Sequence, residues 1–298
     1  MVSARDRQPV LSIRLLGPFA ITRNGVAKDH LVKGPARRLF SYLLIHQGEQ
    51  HARDLLAEMV SPENPASRSA FNTTLWRLKK AVCELPGVNL ECASDTLGLS
   101  LEPQASLDVD RLLEASAHLA ADRDHPGDDV LGEIADAVAL WHGEFGCGLS
   151  DDWALVMRER TSNCYLQGLT ALMRHAGRER RFEEALEYGM RILVEDPYRE
   201  AIHCEAMWLL VLTGRRAKAI TLHREFIALL RRELGIGPMP ETTALYDYIC
   251  NGLESAPEMP FANPHSPLTA TRYRGLLETV ERSRASVYDA LQTMYPGD

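Results

Sequence analysis

Residues 66–82, ASRSAFNTTLWRLKKAV, carry the pattern on which the reading of the fold turns. At 100° per residue, Phe71, Leu75, Leu78 and Val82 fall within one narrow arc and must face a core. The opposite, broad arc holds Arg68, Asn72, Thr73, Trp76, Arg77, Lys79 and Lys80: four cations and no acid. A solvated helix face has the same general look, so the neighbours of this helix decide what it is for.

Two helical patterns precede it. Gly34-Pro35 opens the first, proline being suited to the first helical position, and Leu39, Phe40, Tyr42 and Leu43 make its apolar face up to His46. The second spans residues 52–60 and stops at Ser61-Pro62. Beyond Pro86-Gly87, runs at 88–93 and 96–101 flank Ser94-Asp95 and read as a hairpin. At the other end, residues 11–16 and 19–23 are strand-like, and Asn24-Gly25 signals a tight turn because both residues tolerate positive φ. Strands, three helices and a hairpin make a winged helix-turn-helix.

In that setting the third helix is placed for the major groove of double-stranded DNA. Asn72 and Arg77 are the candidates for base edges, since asparagine pairs two-pronged with adenine and arginine with guanine. Lys79 and Lys80, and Arg37 and Arg38 at the start of the first helix, suit phosphates, which supply affinity and salt dependence without sequence information. Trp76 has two readings, stacking on a sugar or thymine methyl and packing against protein.

From residue 107 onward the pattern is almost wholly helical. Asp108 is a plausible cap for residues 109–121, Asp128 or Asp129 for 130–141, and Asp151 or Asp152 for a helix reaching His175. Ala185, Leu186, Ile192 and Leu193 recur 34 residues later as Ala219, Ile220, Phe226 and Ile227, the period of the tetratricopeptide helix pair. Gly177 and Gly214 mark the turns before the two units, and Pro197 closes the first. Trp141, Trp153 and Trp208 read as core or repeat-seam packing, with a ligand or peptide groove as the alternative. Past Gly252 the chain becomes a Pro-rich linker, followed by an amphipathic run with Leu276, Leu277, Val280, Val287, Tyr288 and Leu291.

The 298 residues suggest about two domains. The net charge of −8 argues against a chain that is basic throughout, but it hides an asymmetry. Up to Leu101 there are 13 Lys and Arg against 9 Asp and Glu, a balance of +4, and the remainder stands at −12. Such a split is the mark of a nucleic-acid reader joined to an acidic partner module. The six cysteines form no C-x-x-C pair and read as free thiols packed as small hydrophobes.

Enzymatic readings find little support. The ten histidines include no H-E-x-x-H or H-x-H pair, no serine sits in G-x-S-x-G, and no phosphate-binding G-x-x-x-x-G-K-[ST] loop is present. Asp151-Asp152 and Glu183-Glu184 are adjacent and diverge on a helix. No catalytic residue, metal site or cofactor is assigned. The absence of an apolar run or leader makes the expected location cytoplasmic, without a membrane partner.

The order of elements resembles the antibiotic-regulatory (SARP) family of bacterial transcriptional activators. The likeness is carried by Leu15-Leu16-Gly17-Pro18, Gly34-Pro35-Ala36-Arg37-Arg38 and Arg77-Leu78-Lys79-Lys80-Ala81, then by Leu107-Asp108-Val109-Asp110, Leu140-Trp141-His142-Gly143 and Glu233-Leu234-Gly235-Ile236-Gly237-Pro238. The resemblance covers residues 11–253. It implies an OmpR-type DNA-binding domain, then a bacterial transcriptional activation domain of tetratricopeptide type, binding promoter direct repeats and recruiting RNA polymerase holoenzyme. The chain departs from that pattern at Leu99, where an aromatic is common, and at Trp76, where a small polar residue is usual.

The expected architecture is therefore α+β then all-α. It has a winged-helix DNA-binding domain at 1–104, a tetratricopeptide-like activation domain at 105–254, and a linker with a terminal helix at 255–298. The leading function is a sequence-specific activator, homodimeric at least on promoter DNA. The alternatives are a tetratricopeptide adaptor whose winged helix binds protein, and a ligand-sensing variant of the activator.

Overall fold

The computed structural model describes residues 10–60, 68–121 and 126–251. Contacts divide the chain into two units, one ending at Gly168 and the other beginning at Leu169.

The first unit opens with strands β1 (Leu11–Arg14), β2 (Ala20–Arg23) and β3 (Val26–Ala27). The turn between β2 and β3 is Asn24-Gly25, with φ of 48° and 79°, the two positive values that a tight two-residue hairpin requires. Helix α1 (Pro35–Ile45) begins on its proline and buries Leu39, Phe40, Leu43 and Leu44. Strand β4 (Gln50–Ala52), helix α2 (Arg53–Val60), helix α3 (Arg68–Val82) and strands β5 (Val88–Cys92) and β6 (Thr96–Leu101) follow. The hairpin of β5 and β6 forms as the sequence predicts, and β4 adds to it in the order β4-β6-β5. Gln50-His51-Ala52 has no strand signal of its own. It is extended because β6 offers it a ladder, pairing Gln50 with Gly98 and His51 with Leu97.

Gly98 has to be glycine for that pairing. A Cβ there would lie 2.8 Å from the Glu49 carbonyl oxygen, a backbone atom that cannot swing aside.

Strand β7 (Ala105–Leu107) returns to the first sheet and pairs in parallel with β1, giving the order β3-β2-β1-β7. Helices α4 (Asp108–Ala121), α5 (Asp128–Ala139) and α6 (Asp152–Arg178) come next. Asp108, read as a helix cap, does more than cap. Its buried carboxylate accepts the Leu15 N–H at 2.9 Å and the Leu16 N–H at 2.8 Å, besides the Val109 N–H at 2.8 Å. One side chain thus ties the end of β1 to the start of α4. Asp128 and Asp129 occupy the first turn of α5, with Gly127 as the cap, so they act as charges at the positive helix end. Gly17 (φ 101°) lies against the backbone of His142, where a Cβ would come within 2.7 Å of the carbonyl.

The second unit holds the C-terminal end of α6 with α7 (Phe182–Glu195), α8 (Glu200–Leu212), α9 (Arg216–Glu233) and α10 (Pro240–Asn251). Helices α7 and α9 begin 34 residues apart, both pack on α8, and the repeated small residues Ala185 and Ala219 are each 0% exposed. Ile192 and Phe226 are likewise buried, while Ile220 and Ile227 are half-buried. The turn before α7 is built on Arg180 (φ 60°), because Gly177 still lies within α6; Gly214 (φ 74°) holds the turn before α9.

The three tryptophans read as packing do pack. Trp141 stacks on Tyr165 with centroids 4.2 Å apart, Trp153 meets Tyr42 edge-on, and Trp208 is buried beside Tyr248. The thiols differ from expectation. All six are free, but Cys83, Cys92 and Cys147 are exposed, and only Cys164, Cys204 and Cys250 are partly covered. No helix among the described residues is long and apolar enough to cross a membrane. The linker and terminal helix assigned to 255–298 lie outside the described residues.

Candidate nucleic-acid interface

Helix α3 presents two unlike faces. Phe71, Leu75 and Leu78 are buried at 4%, 4% and 0% exposure, and Thr74 and Ala81 widen the covered stripe; Val82 is half-buried. On the other side Asn72, Thr73, Trp76, Arg77, Lys79 and Lys80 are all exposed. The helix packs on α1 and α2 and leads into β5, which sets its outer face beside the turn of the β5–β6 hairpin. Arg68 opens the helix, and its side chain falls outside the described set.

Several side chains on this face already have partners. The Thr73 hydroxyl donates to the Ser69 carbonyl at 3.0 Å, which fixes its rotamer. The Lys80 ammonium lies 5.8 Å from the centre of the Trp76 ring, a cation–π pair on an indole that is 63% exposed. Lys79 and Lys80 sit in the last turn, where the helix dipole favours cations.

One residue essential to this arrangement is invisible to the helix-face reading. Arg53, the first residue of α2, donates from Nη2 to Asn72 Oδ1 at 3.3 Å and from Nη1 to the Ser94 carbonyl at 3.3 Å. Its own N–H donates to the Asp95 carbonyl at 2.9 Å, and its guanidinium lies over Phe71 at 5.7 Å. Arg53 therefore links α2, α3 and the hairpin turn. The available signal was a lone arginine at a strand-to-helix junction, which carries no pattern of its own.

Arg37 and Arg38, on α1, have partners of their own. Arg37 donates to the Cys147 carbonyl at 3.3 Å and lies 5.6 Å from the Phe19 ring centre. Arg38 pairs with Asp151 at 3.2 Å and donates to the Met59 carbonyl at 3.3 Å. Both guanidinium groups, placed by the sequence against phosphate, have protein partners: they fasten α1 to the segment leading into α6.

The second unit offers a different feature, an open groove of about 430 Å³ along α7 and α9. Met190, Leu193, Val194, Leu222 and Phe226 line it, with Arg232 at the wall. Val194, one of its lining residues, is 80% exposed, so the groove presents apolar surface to solvent.

These elements, an acid-free helix face beside a hairpin and then a helical array, are the setting for the comparisons with known proteins, which together support a SARP-type bacterial transcriptional activator. Residues 107–250 match the family of the bacterial transcriptional activator domain. Among individual proteins, the chain is similar to the regulatory protein AfsR of Streptomyces coelicolor, with 25% identity over 284 residues. That match takes in 92% of this chain and 28% of AfsR, so the chain spans little more than a quarter of the relative's length. In fold it is similar to Mycobacterium tuberculosis EmbR, solved in complex with a low-affinity phosphopeptide, at a TM-score of 0.65 and 21% identity over 84% of this chain and 67% of that one.

Proposed function

We propose that the chain is a sequence-specific, DNA-binding transcriptional activator. The observation that carries this reading is the exposed, acid-free face of α3, opposite a buried one and flanked by a hairpin. In this reading α3 enters the major groove and Ser94-Asp95 approaches the neighbouring backbone. Arg77 reads a guanine edge. Asn72 reads adenine after releasing its exposed 3.3 Å bond to Arg53. Lys79 and Lys80 meet phosphates. Residues 1–104 form the reader, and residues 105–254, a tetratricopeptide-type array, contact RNA polymerase holoenzyme and a second protomer on direct-repeat promoter sites. No cofactor or catalytic step enters.

Fluorescence anisotropy with a promoter duplex and a scrambled duplex tests this on the full chain. Arg77→Ala lowers promoter affinity by about 1–3 kcal/mol and relaxes preference at one base pair. Lys80→Ala weakens both duplexes and reduces the salt slope by about 0.9. Unchanged specific binding in Arg77→Ala and Asn72→Ala would remove α3 from the groove. If the full chain shows no salt-sensitive binding to any duplex, the adaptor reading takes over, and it has one observation in its favour, the 63% exposed Trp76 ring.

A further inference from the structure

The turn between α1 and β4 brings together three side chains that the DNA reading does not use. His46, Glu49 and His51 each offer one ligand atom, all within 4.8 Å of one another. The His46 Nδ1 atom is 3.5 Å from Glu49 Oε2, and His51 Nε2 is 3.9 Å from the same oxygen.

The backbone builds this cluster. Gly48 (φ 81°) turns the chain, and the Glu49 N–H donates back to the His46 carbonyl at 3.1 Å. The Gly48 N–H donates to Leu99 of β6 at 2.9 Å, and His51 pairs with Leu97 in the same strand. Glu49 and His51 are two apart on an extended segment and so share a face. Tyr42, one helical turn before His46, walls the cluster, with ring centres 4.5 Å from His46 and 5.1 Å from His51.

Two features point to a ligand. His51 Nε2 is shut off from solvent and has no hydrogen-bond partner, although it faces a carboxylate. A buried polar atom left without a partner calls for an explanation. The spacing supplies one. Zinc bonds of about 2.0–2.1 Å in tetrahedral geometry hold ligand atoms roughly 3.3 Å apart, so the observed separations are longer than a closed site by well under the reach of a rotamer adjustment. They are too long for the carboxylate to hydrogen-bond either ring.

We propose that His46 Nδ1, Glu49 and His51 Nε2 bind one divalent late first-row transition-metal ion of the zinc class, with water completing its shell. Two imidazoles and one carboxylate suit such an ion and not magnesium or calcium, which take oxygen ligands. Glu49, with its side chain 63% exposed, leaves an open side for the water. The ion ties the end of α1 to β4, the strand that pairs with the hairpin of the DNA-facing region.

Full-length chain without a polyhistidine tag, stripped with chelator, is titrated with Co²⁺ and followed by visible absorption, then by Zn²⁺ displacement. The expected result is one equivalent bound through nitrogen and oxygen, with affinity reduced at least about tenfold in Glu49→Gln and in His51→Gln. Glu49 is exposed, so its substitution leaves the fold intact, and circular dichroism checks that. Zn²⁺ also raises the unfolding temperature of the wild-type chain and fails to raise that of Glu49→Gln. Absence of bound Co²⁺ overturns the proposal, as do thiolate charge-transfer bands that persist unchanged in both variants, since these place the ion on cysteine.

Discussion

Replacing Asp108 by Asn removes a charge at the joint between β1 and α4 while nearly keeping its shape. The residue is 5% exposed, and its two oxygens receive the N–H groups of Leu15, Leu16 and Val109. Burial pushes the carboxyl up to about 6 from 3.8; the three N–H bonds and the charge of Arg14 pull the other way without overcoming it. A raised carboxyl pKa means that the folded chain holds this proton more tightly than the unfolded chain does. The resulting stabilisation is complete below about pH 3.8 and is lost as pH rises through about 6. The gap corresponds to about 3 kcal/mol in all, of which about 1 kcal/mol disappears between pH 5 and pH 7. Urea unfolding of both chains at pH 5, 6 and 7 reads this directly. The stability of wild type minus that of Asp108→Asn should fall by about 1 kcal/mol across the series. A difference that is flat, or that grows with pH, would refute the reasoning by showing that the N–H bonds outweigh desolvation.

Gly17→Ala should cost at least about 2 kcal/mol in thermal or urea unfolding, because it adds a Cβ at φ 101° and at 2.7 Å from the His142 backbone. Phe226→Ala, at 1% exposure and stacked on His203 at 3.9 Å, should destabilise the second unit by about 3–5 kcal/mol; a loss under 1 kcal/mol would mean the seam collapses around the void. Arg53→Ala should weaken promoter binding in the anisotropy assay while leaving helical content unchanged, since it frees the Ser94 turn from its side-chain anchor on α2. Equal promoter affinity in that variant would show that the anchor does not shape the interface.

Much of this was legible in residues close together in the chain. The period of Phe71, Leu75 and Leu78 located the buried stripe of α3 and, by subtraction, its exposed cations. Asn24-Gly25 specified its turn through backbone sterics alone. Proline at the head of α1 is also a short-range signal, and α1 starts on it; the 34-residue recurrence of Ala185 at Ala219 is matched by α7 and α9, which begin 34 residues apart. Helix ends were less exact, because Asp108, Asp128 and Asp129 are compatible with several roles that only their surroundings distinguish.

The sequence by itself determined the elements whose causes are local: helix periodicity, turn chemistry, the unequal charge of the two parts, and the side chains offered by α3. Tertiary structure alone decided what depends on partners distant in sequence. Arg37 and Arg38 look like free cations until the segment at Cys147 and Asp151 comes against them. Strand β4 exists because β6 is beside it, and that pairing brings His51 back to His46 and Glu49. Asp108 acquires its raised pKa only when β1 closes over it and removes the water that would otherwise stabilise its charge. Backbone preferences act within a few residues and are written in order along the chain, whereas pairing and desolvation depend on which segments meet, and no single segment encodes that.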